Sequence, residues 1–318
     1  MNNTSTCMEA QSLVASALTP MLILDFILGL PGNILALWIF ACKAPWKTST
    51  ICFLNLVLAD IMLLIGLPFQ IDSLVRGGWI FGDSFCRINL FMLSVNQSAS
   101  IFFITALVVD RFYRIVHPLH QICRMSTQHT VMVACGVWVV VVAFRIPLLV
   151  TRIFRTSGNS FLCQTIDLWT ESGTGMRVHN IIYITEFVLA FVLVVFFSVR
   201  ILYHIQGNKR LKEHRRVKRT IYLLLVVVIM FTFCFLPGYI TGLVAFFLRD
   251  VSSCSPYVSV GQMFSLSLGL AYLNSALDPI LYTFSSARFR DTLKGVSNST
   301  GVTNFKLSVK ESRKPRRP

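Results

Sequence analysis

Charged residues are scarce in this chain of 318 residues. They make up 14% of it, whereas a typical soluble domain is about one quarter charged. Hydrophobic residues make up 54%, and a water-soluble globule of this length could not bury so much apolar surface. The same composition excludes a disordered chain, a collagen and a coiled coil. We therefore expect a protein of the membrane.

Sequence motifs of catalysis and metal binding are also absent. The chain has no Gly-rich phosphate loop, no His-Glu-x-x-His helix and no Gly-x-Ser-x-Gly turn, which are signatures of several enzyme classes. No Cys-x-x-Cys pair or Cys/His spacing suggests zinc. The inverted repeats and broken helices of transporters are not evident. The sequence therefore favours neither an enzyme nor a transporter, and we expect no catalytic residues.

Acidic residues are few, since 14 Asp and Glu stand against 29 Lys and Arg, which gives a formal charge of +15. The basic residues lie between and after apolar runs, mainly in segment 200–219 and in the C-terminal tail. This placement argues against nucleic acid as a partner. The positive-inside rule puts these basic segments in the cytoplasm. There they either hold anionic membrane lipid or dock a cytosolic protein.

Long apolar stretches dominate the rest of the chain. A helix needs about 20 such residues to cross a bilayer, and unpaired backbone groups are too costly in lipid for other structures. The sequence therefore predicts an all-α membrane protein, a bundle of seven transmembrane helices. The stretches, called spans 1 to 7 below, are 18–42, 50–74, 86–116, 128–150, 178–206, 217–248 and 257–284.

An odd number of spans places the two chain ends on opposite sides of the membrane. We expect an extracellular N-terminus at 1–17, the bundle at 18–284 and a cytoplasmic tail at 285–318, in the plasma membrane. The first residues lack a basic n-region, so we expect no cleavable signal peptide. Overlapping sequons predict glycosylation of Asn2 and Asn3.

Four of the nine cysteines are expected at the outer side: Cys7, Cys86, Cys163 and Cys254. Four cysteines permit three pairings, and an oxidising exterior favours disulfides. We expect a Cys86–Cys163 bond, which would fold the loop between spans 4 and 5 over the bundle. A Cys7–Cys254 bond would then tie the N-terminus to the last outer loop.

Polar side chains inside the spans form a candidate site. Ionisable groups in a transmembrane helix are costly and indicate function. Residues four apart share a helix face, as Asn96 and Ser100 do in span 3 and Asn274 and Asp278 in span 7; Asp60 lies in span 2. Together these oxygens suit a sodium ion. The alternative is a neutral hydrogen-bonded network with protonated acids.

A series of motifs, one or more in most spans, resembles the rhodopsin-like (class A) G-protein-coupled receptors. The motifs are Gly32-Asn33, Asn55…Leu58-Ala59-Asp60, Cys86, Asp110-Arg111-Phe112, Trp138, Cys234-Phe-Leu-Pro237 and Asp278-Pro-Ile-Leu-Tyr282. The resemblance implies a sodium pocket at the polar residues above. It also implies coupling to a heterotrimeric G protein through Asp110, Arg111 and Tyr282, a short amphipathic eighth helix from Ser285 onward, and arrestin as a further partner.

Several residues depart from the family pattern. Ala190 stands in place of a span 5 proline, and Phe235 in place of the usual Trp of span 6. The inner end of span 6, at 215–219, has no acid that could hold Arg111 across the bundle. We therefore expect Arg111 to be held mainly by Asp110, in a looser resting state with basal signalling.

Further stretches resemble one branch of that family, the hydroxycarboxylic acid and oxoeicosanoid receptors. They are Trp79-x-Phe81-Gly82-Asp83-x-x-Cys86-Arg87, Leu90-Phe-Met-Leu-Ser-Val-Asn96, Val116-His117-Pro118-x-His120 and Tyr272-Leu-Asn274-Ser-x-Leu-Asp278-Pro…Phe284-Ser-Ser. The resemblance implies a small hydroxy acid or an oxidised fatty acid as ligand and an inhibitory-class G protein. The Phe-rich interior favours a long lipid tail.

The residue that anchors a carboxylate in that branch is an Arg after the span 3 Asn, and this chain has Gln97 there. The cation must then come from elsewhere, with Arg145 and Arg152 as candidates, or the ligand is not anchored at this point. Arg145 could contact the ligand, a lipid headgroup or Glu186. The other predicted ligand contacts are Leu93, Glu186, Phe235 and Tyr239. A receptor of the same fold for a peptide, a nucleotide or another lipid, or a decoy that binds without signalling, is the alternative.

Overall fold

The computed structural model describes residues 2–151, 155–157, 160–163, 174–208, 214–248, 254–286, 289–293 and 295. Arg152 lies outside this set, as do the side chains of Asn2, Asn3, Cys7 and Cys254. Glycosylation and the Cys7–Cys254 bond therefore stay predictions. The tail from residue 296 onward is likewise outside the described part.

Helices account for all seven predicted spans, and the all-α fold is confirmed. Span 1 is Asn2–Trp38, extended by the π-helical turn Ile39–Lys43, and span 6 consists of Arg215–Ile229, the π-helical segment Met230–Phe235 and Leu236–Leu248. The others are span 2 at Thr48–Arg76, span 3 at Asp83–Val116, span 4 at Thr127–Val150, span 5 at Thr174–Gly207 and span 7 at Cys254–Ser285. The first helix thus begins well before residue 18, within the segment predicted to be an extracellular terminus.

Helix ends follow local chemistry. Span 2 ends at Gly77, whose φ of 68° is left-handed, a conformation that glycine adopts without steric cost. Ser126 caps the start of span 4 because its Oγ accepts from the backbone N–H of His129, at 3.3 Å.

Six of the described helices are long and apolar enough to cross a membrane, namely spans 1 to 6. Span 7 has 32 residues, but Asn274, Ser275 and Asp278 make it more polar. It packs against spans 1 and 6, and these three side chains are buried. The polar side chains of span 7 therefore face the interior of the bundle and not the lipid.

Span 3 is the most buried of these helices, while spans 1, 4 and 5 leave most of their surface outside the bundle. Their exposed side chains are largely aliphatic and aromatic, as a lipid-facing surface requires. In the main polar contact between spans 4 and 2, Trp138 Nε1 donates to Asn55 Oδ1 at 2.7 Å. Both residues belong to the motifs identified above.

The proline in span 6 lies next to a change in helix type. The π-helical segment Met230–Phe235 ends two residues before Pro237. A proline has no N–H to donate and clashes with the preceding turn, and a wider turn accommodates this defect. The change of helix type in span 6 thus has an identifiable cause.

A disulfide closes one end of the bundle. Cys86 and Cys163 are bonded, with their Cα atoms 5.8 Å apart, as predicted. Next to Cys163 the chain forms a two-stranded antiparallel hairpin, β1 (Arg155–Ser157) and β2 (Ser160–Leu162). This hairpin was not predicted. The end of the bundle near Cys86 is called the disulfide end below.

The eighth helix is present in the described residues as a short helical stretch at 289–293. Phe289 is buried there, with its ring 6.0 Å from Phe40 and 5.8 Å from Tyr282. Leu293 and Asp291 are exposed. One face of this segment therefore anchors on spans 1 and 7.

Candidate ligand site, ion site and coupling face

The polar residues of spans 2, 3 and 7 meet in the middle of the bundle. Asn96 Nδ2 donates to Asp60 Oδ1 at 3.2 Å and contacts Ser275 Oγ at 3.3 Å. Asn274 Nδ2 donates to Asp278 Oδ2 at 3.5 Å. All are at most 2% exposed. Asp60 also forms a side-chain contact with Asp278, so these residues form one polar cluster that joins spans 2, 3 and 7, called the central pocket below.

Several oxygens of this pocket are buried and have no hydrogen-bond partner among the described residues. They are Ser100 Oγ, Asn274 Oδ1 and Asp278 Oδ1. A buried acceptor without a donor is costly, and carboxylate, amide and hydroxyl oxygens are the donor set that hard cations prefer. The residues present therefore fit a bound cation. The structure adds Ser275 and Tyr282 to the predicted set.

A second polar cluster lies between spans 3, 4 and 5. Arg145 forms an ion pair with Glu186 and also donates to Ser98, whose Oγ lies 3.0 Å from Nε. Ser98 in turn donates to Glu186 Oε1 at 2.8 Å. Arg145 is fully buried, and the Glu186 side chain is 2% exposed. Of the three roles open to Arg145, the structure shows the pair with Glu186.

An aromatic stack joins this ion pair to span 6. The Arg145 guanidinium lies 5.0 Å from the centre of the Tyr183 ring. Tyr183 stacks on Tyr239 at 4.4 Å, and Tyr239 stacks on Phe187 at 3.9 Å. The Tyr183 hydroxyl donates to Gln97 Oε1 at 2.9 Å. The structure therefore brings together four of the predicted ligand contacts, namely Gln97, Arg145, Glu186 and Tyr239.

Two predicted ligand contacts lie elsewhere. Leu93 packs with leucines of spans 1 and 2 and with Tyr272, on a different side of the bundle. Phe235 reaches the stack only through Phe231, at 5.5 Å between ring centres. The structure does not bring either residue to the ion pair.

Three neighbours of the ion pair were missed by sequence reasoning. Ser98 follows Gln97 directly, and Tyr183 lies three residues before Glu186, hence on the same helix face. His179, a further turn away, has its Nδ1 3.1 Å from the carbonyl of Phe144. The periodicity of span 5 was the available signal for the last two.

Asp25 of span 1 was also missed. It is 1% exposed, and neither carboxylate oxygen has a hydrogen-bond partner among the described residues. One turn further, Gly29 lies against Leu64 and Ala276, so this face of span 1 packs on spans 2 and 7. The signal that could have identified Asp25 was its position as a single acidic residue within an apolar segment.

The opposite end of the bundle carries the Asp110-Arg111 motif. Asp110 accepts from Arg114 Nε at 2.8 Å and from Ser49 Oγ at 3.1 Å. Arg111 donates from Nη2 to Ser49 Oγ at 2.9 Å. Asp110 also interacts electrostatically with Arg111, so Arg114, Ser49 and Arg111 share this carboxylate. The expectation that Asp110 mainly holds Arg111 stays a prediction.

Tyr282 connects this end to the polar pocket. Its hydroxyl is 3.4 Å from Asp60 Oδ2, and its ring packs edge-on against Phe40 and Phe53 at 5.2 and 5.4 Å. The side chain is fully buried. Tyr282 therefore lies between the central pocket and the eighth helix.

Comparison with known proteins places this geometry in a family. The profile described as "7 transmembrane receptor (rhodopsin family)" matches residues 32–282. Hydroxycarboxylic acid receptor 2 of Rattus norvegicus is 36% identical over 294 residues, which cover 91% of this chain and 80% of the relative. Oxoeicosanoid receptor 1 of Homo sapiens is 36% identical over 310 residues, 97% of this chain and 79% of the relative.

A third relative is more distant. The 12-(S)-hydroxy-5,8,10,14-eicosatetraenoic acid receptor of Mus musculus is 28% identical over 298 residues, 92% of each chain. The family profile spans the first to the last motif found in the sequence. The chain belongs to the rhodopsin-like family of G-protein-coupled receptors, and it is a multi-pass membrane receptor and not an enzyme.

Proposed function

We propose that this receptor binds a carboxylate-bearing ligand, an oxidised fatty acid or a smaller hydroxy acid, and activates an inhibitory-class G protein. The observation that supports the proposal best is the buried Arg145, which has one guanidinium nitrogen, Nη1, without a hydrogen-bond partner among the described residues. A guanidinium is well suited to a carboxylate. The relatives named above are receptors for acids of these classes by their names.

A long ligand is favoured over a short one. The cluster around Arg145 is lined by the rings of Tyr183, Phe187 and Tyr239, and Phe191 and Phe231 continue it towards the middle of the bundle. Such a surface binds a hydrocarbon tail through the hydrophobic effect. Gln97 adds a neutral polar group at the head of this region, where an oxo or hydroxyl group of the ligand could form a hydrogen bond.

The orientation proposed for the receptor follows from its charge. The basic segments at 200–219 and in the tail face the cytoplasm, so the disulfide end faces outward at the plasma membrane. The ligand then enters from the disulfide end. The G protein, and arrestin after activation, bind at the end that carries Asp110, Arg111 and Tyr282.

We further propose that the central pocket holds a sodium ion as an allosteric ligand. Asp60, Asn96, Ser100, Asn274 and Asp278 would hold it, since their oxygens fit a hard cation. When bound, the ion would neutralise part of the acidic charge of the pocket. The residues of this chain hold the three helices together there, through the contact of Asn96 with both Asp60 and Ser275.

A neutral lipid is the second candidate ligand. Glu186 neutralises Arg145, so the cluster between spans 3, 4 and 5 has no net charge from this pair. A receptor that binds without signalling is less favoured, because Asp110 and Arg111 are both present. Ligand charge and G-protein activation therefore separate the candidates.

The test is a screen for inhibition of cyclic AMP formation in cells that express the receptor. The panel contains short hydroxy acids, oxidised C20 fatty acids and the methyl ester of each acid. Under the proposal, at least one oxidised fatty acid inhibits cyclic AMP formation and its ester is weaker. Equal responses to acid and ester would favour the neutral lipid, and a response to neither would refute the proposed ligand class.

A further inference from the structure

The ion pair of Arg145 and Glu186 uses only part of each group. Glu186 accepts through Oε1, from Arg145 Nη2 and from Ser98. Arg145 Nη1 and Glu186 Oε2 are buried and have no hydrogen-bond partner among the described residues. An arginine and a carboxylate can form two parallel hydrogen bonds when their geometry is unconstrained. Here spans 4 and 5 hold the pair so that Nη2 contacts Oε1, while the Nη1 donor has no acceptor among the described residues.

A ligand carboxylate cannot simply be added beside this pair. Arg145 is fully buried and the Glu186 side chain is 2% exposed. Two carboxylates facing one guanidinium would leave a net negative charge in a medium of low dielectric constant. A ligand carboxylate therefore binds Arg145 favourably only when Glu186 leaves, and this exchange keeps the guanidinium paired throughout.

A new partner for Glu186 is available on span 6. The Tyr239 hydroxyl is buried beside the Tyr183 hydroxyl, which donates its own proton to Gln97. The Tyr239 ring stacks at 3.9 Å on Phe187, the residue that follows Glu186. Tyr239 and Glu186 already interact electrostatically, so this hydroxyl can donate to the released carboxyl group. The contact that span 4 loses would then be gained by span 6.

We propose that Glu186 is a tethered carboxylate that occupies Arg145 in the resting receptor, and that the carboxylate of the ligand replaces it. As it leaves Arg145, Glu186 takes the proton that the carboxylic acid of the ligand gives up, so that the cluster gains no net charge. The neutral Glu186 then forms a hydrogen bond with Tyr239. Glu186 thereby selects ligands that carry a carboxylate, because an ester or an amide cannot compete with it for Arg145. This inference rests on the proposed function, in that the ligand is an acid.

The experiment compares an acid with its neutral ester on variants of the pair. The probes are 12-(S)-hydroxy-5,8,10,14-eicosatetraenoic acid and its methyl ester, and the readout is nucleotide exchange on a purified inhibitory-class G protein with receptor in nanodiscs. The variants are Glu186→Gln, Arg145→Gln and the double variant, with Asp72→Asn as control. Asp72 of span 2 forms a partly exposed ion pair with Arg76 and takes no part in the proposed exchange.

Removal of the tethered charge should favour the acid. We expect Glu186→Gln to increase the potency of the acid by about tenfold, equal to about 1.4 kcal/mol, and to leave the potency of the ester unchanged. Arg145→Gln should abolish the preference for acid over ester. Arg145→Gln leaves Glu186 buried and unpaired, so this variant could fail to fold. In that case the double variant, in which both residues are neutral, must show the same loss of preference for acid over ester. Asp72→Asn should resemble the wild type.

The inference and the proposed function fail in different ways. If the wild type responds to the acid but Glu186→Gln leaves its potency relative to the ester unchanged, the inference is wrong and the proposed function stands. If the wild type responds to neither probe, this acid is not a ligand of the receptor. The inference is then tested by the rate of nucleotide exchange without ligand. Release of residue 186 from Arg145 should then raise basal exchange several-fold in Glu186→Gln, and an unchanged basal rate overturns it.

Discussion

Buried polar side chains in the described interior are of two kinds, those with a hydrogen-bond partner and those without. Asn96 and Tyr282 both contact Asp60, so this carboxylate is supported from spans 3 and 7. Asp25 has no such partner among the described residues, although it is as deeply buried. A buried polar group without a partner lowers stability, because its desolvation is not offset.

Replacement of Asp25 by leucine should therefore stabilise the receptor. Leu18 and Leu22 of the same helix already pack with Leu63, Leu64 and Leu67 of span 2, so an aliphatic side chain suits this region. We expect Asp25→Leu to raise the free energy of unfolding by about 1–2 kcal/mol, measured as a higher melting temperature in detergent. Asp25→Asn, which keeps a polar group, should gain less. A lower melting temperature for Asp25→Leu would contradict this account.

At the scale of the elements, the sequence predicted the polar residues that are costly inside a membrane. It did not predict contacts that depend on how two helices face each other. Asp60, Asn274 and Asp278 were predictable because a polar residue in an apolar span is conspicuous. Arg145 was conspicuous too, and Glu186 was one of three contacts considered for it; which of them forms depends on how spans 4 and 5 face each other. The contact of Ser49 with Arg111 was missed for the same reason, since it joins two helices. The β1–β2 hairpin consists of strands too short to show a pattern.

Contacts between helices also explain a glycine of the first motif. A Cβ on Gly32 would lie 2.7 Å from Cγ of Pro279, so spans 1 and 7 approach closely only because residue 32 has no side chain. Next to it, Asn33 Nδ2 donates to the Ser275 carbonyl at 2.9 Å. The Gly32-Asn33 pair thus combines a close approach with a hydrogen bond across the same interface.

Gly32→Ala should weaken this interface. The added methyl group forces spans 1 and 7 apart, and such overpacking costs about 1–3 kcal/mol. The measurement is the melting temperature of the purified receptor, with Gly136→Ala in span 4 as control. A Cβ on Gly136 meets nothing within 4 Å, and alanine is the better helix former by about 1 kcal/mol. Equal melting temperatures for the two variants would show that the close approach has no energetic consequence.

At the scale of the whole molecule, three polar clusters lie along the bundle from the disulfide end to the opposite end. The Arg145–Glu186 pair joins spans 3, 4 and 5, the central pocket joins spans 2, 3 and 7, and Asp110 and Arg111 join spans 2 and 3 through Ser49. Each cluster links a different set of helices, and all three include span 3. A movement of these helices at one cluster therefore alters the contacts at the next. A ligand shifts such an equilibrium only by its difference in affinity for the two states.

Sodium provides the test of the central cluster. An ion that binds only the folded receptor stabilises it by about 2.7 kcal/mol at a hundredfold excess over its dissociation constant. We therefore expect a higher melting temperature in sodium chloride than in choline chloride of equal ionic strength. Asp60→Asn should remove this difference, because it replaces a carboxylate that faces the pocket. Asp72→Asn, which alters a partly exposed acid of the same helix, should retain it. If Asp60→Asn still responds to sodium as the wild type does, the ion binds elsewhere, and the unpaired oxygens of Ser100, Asn274 and Asp278 need another explanation.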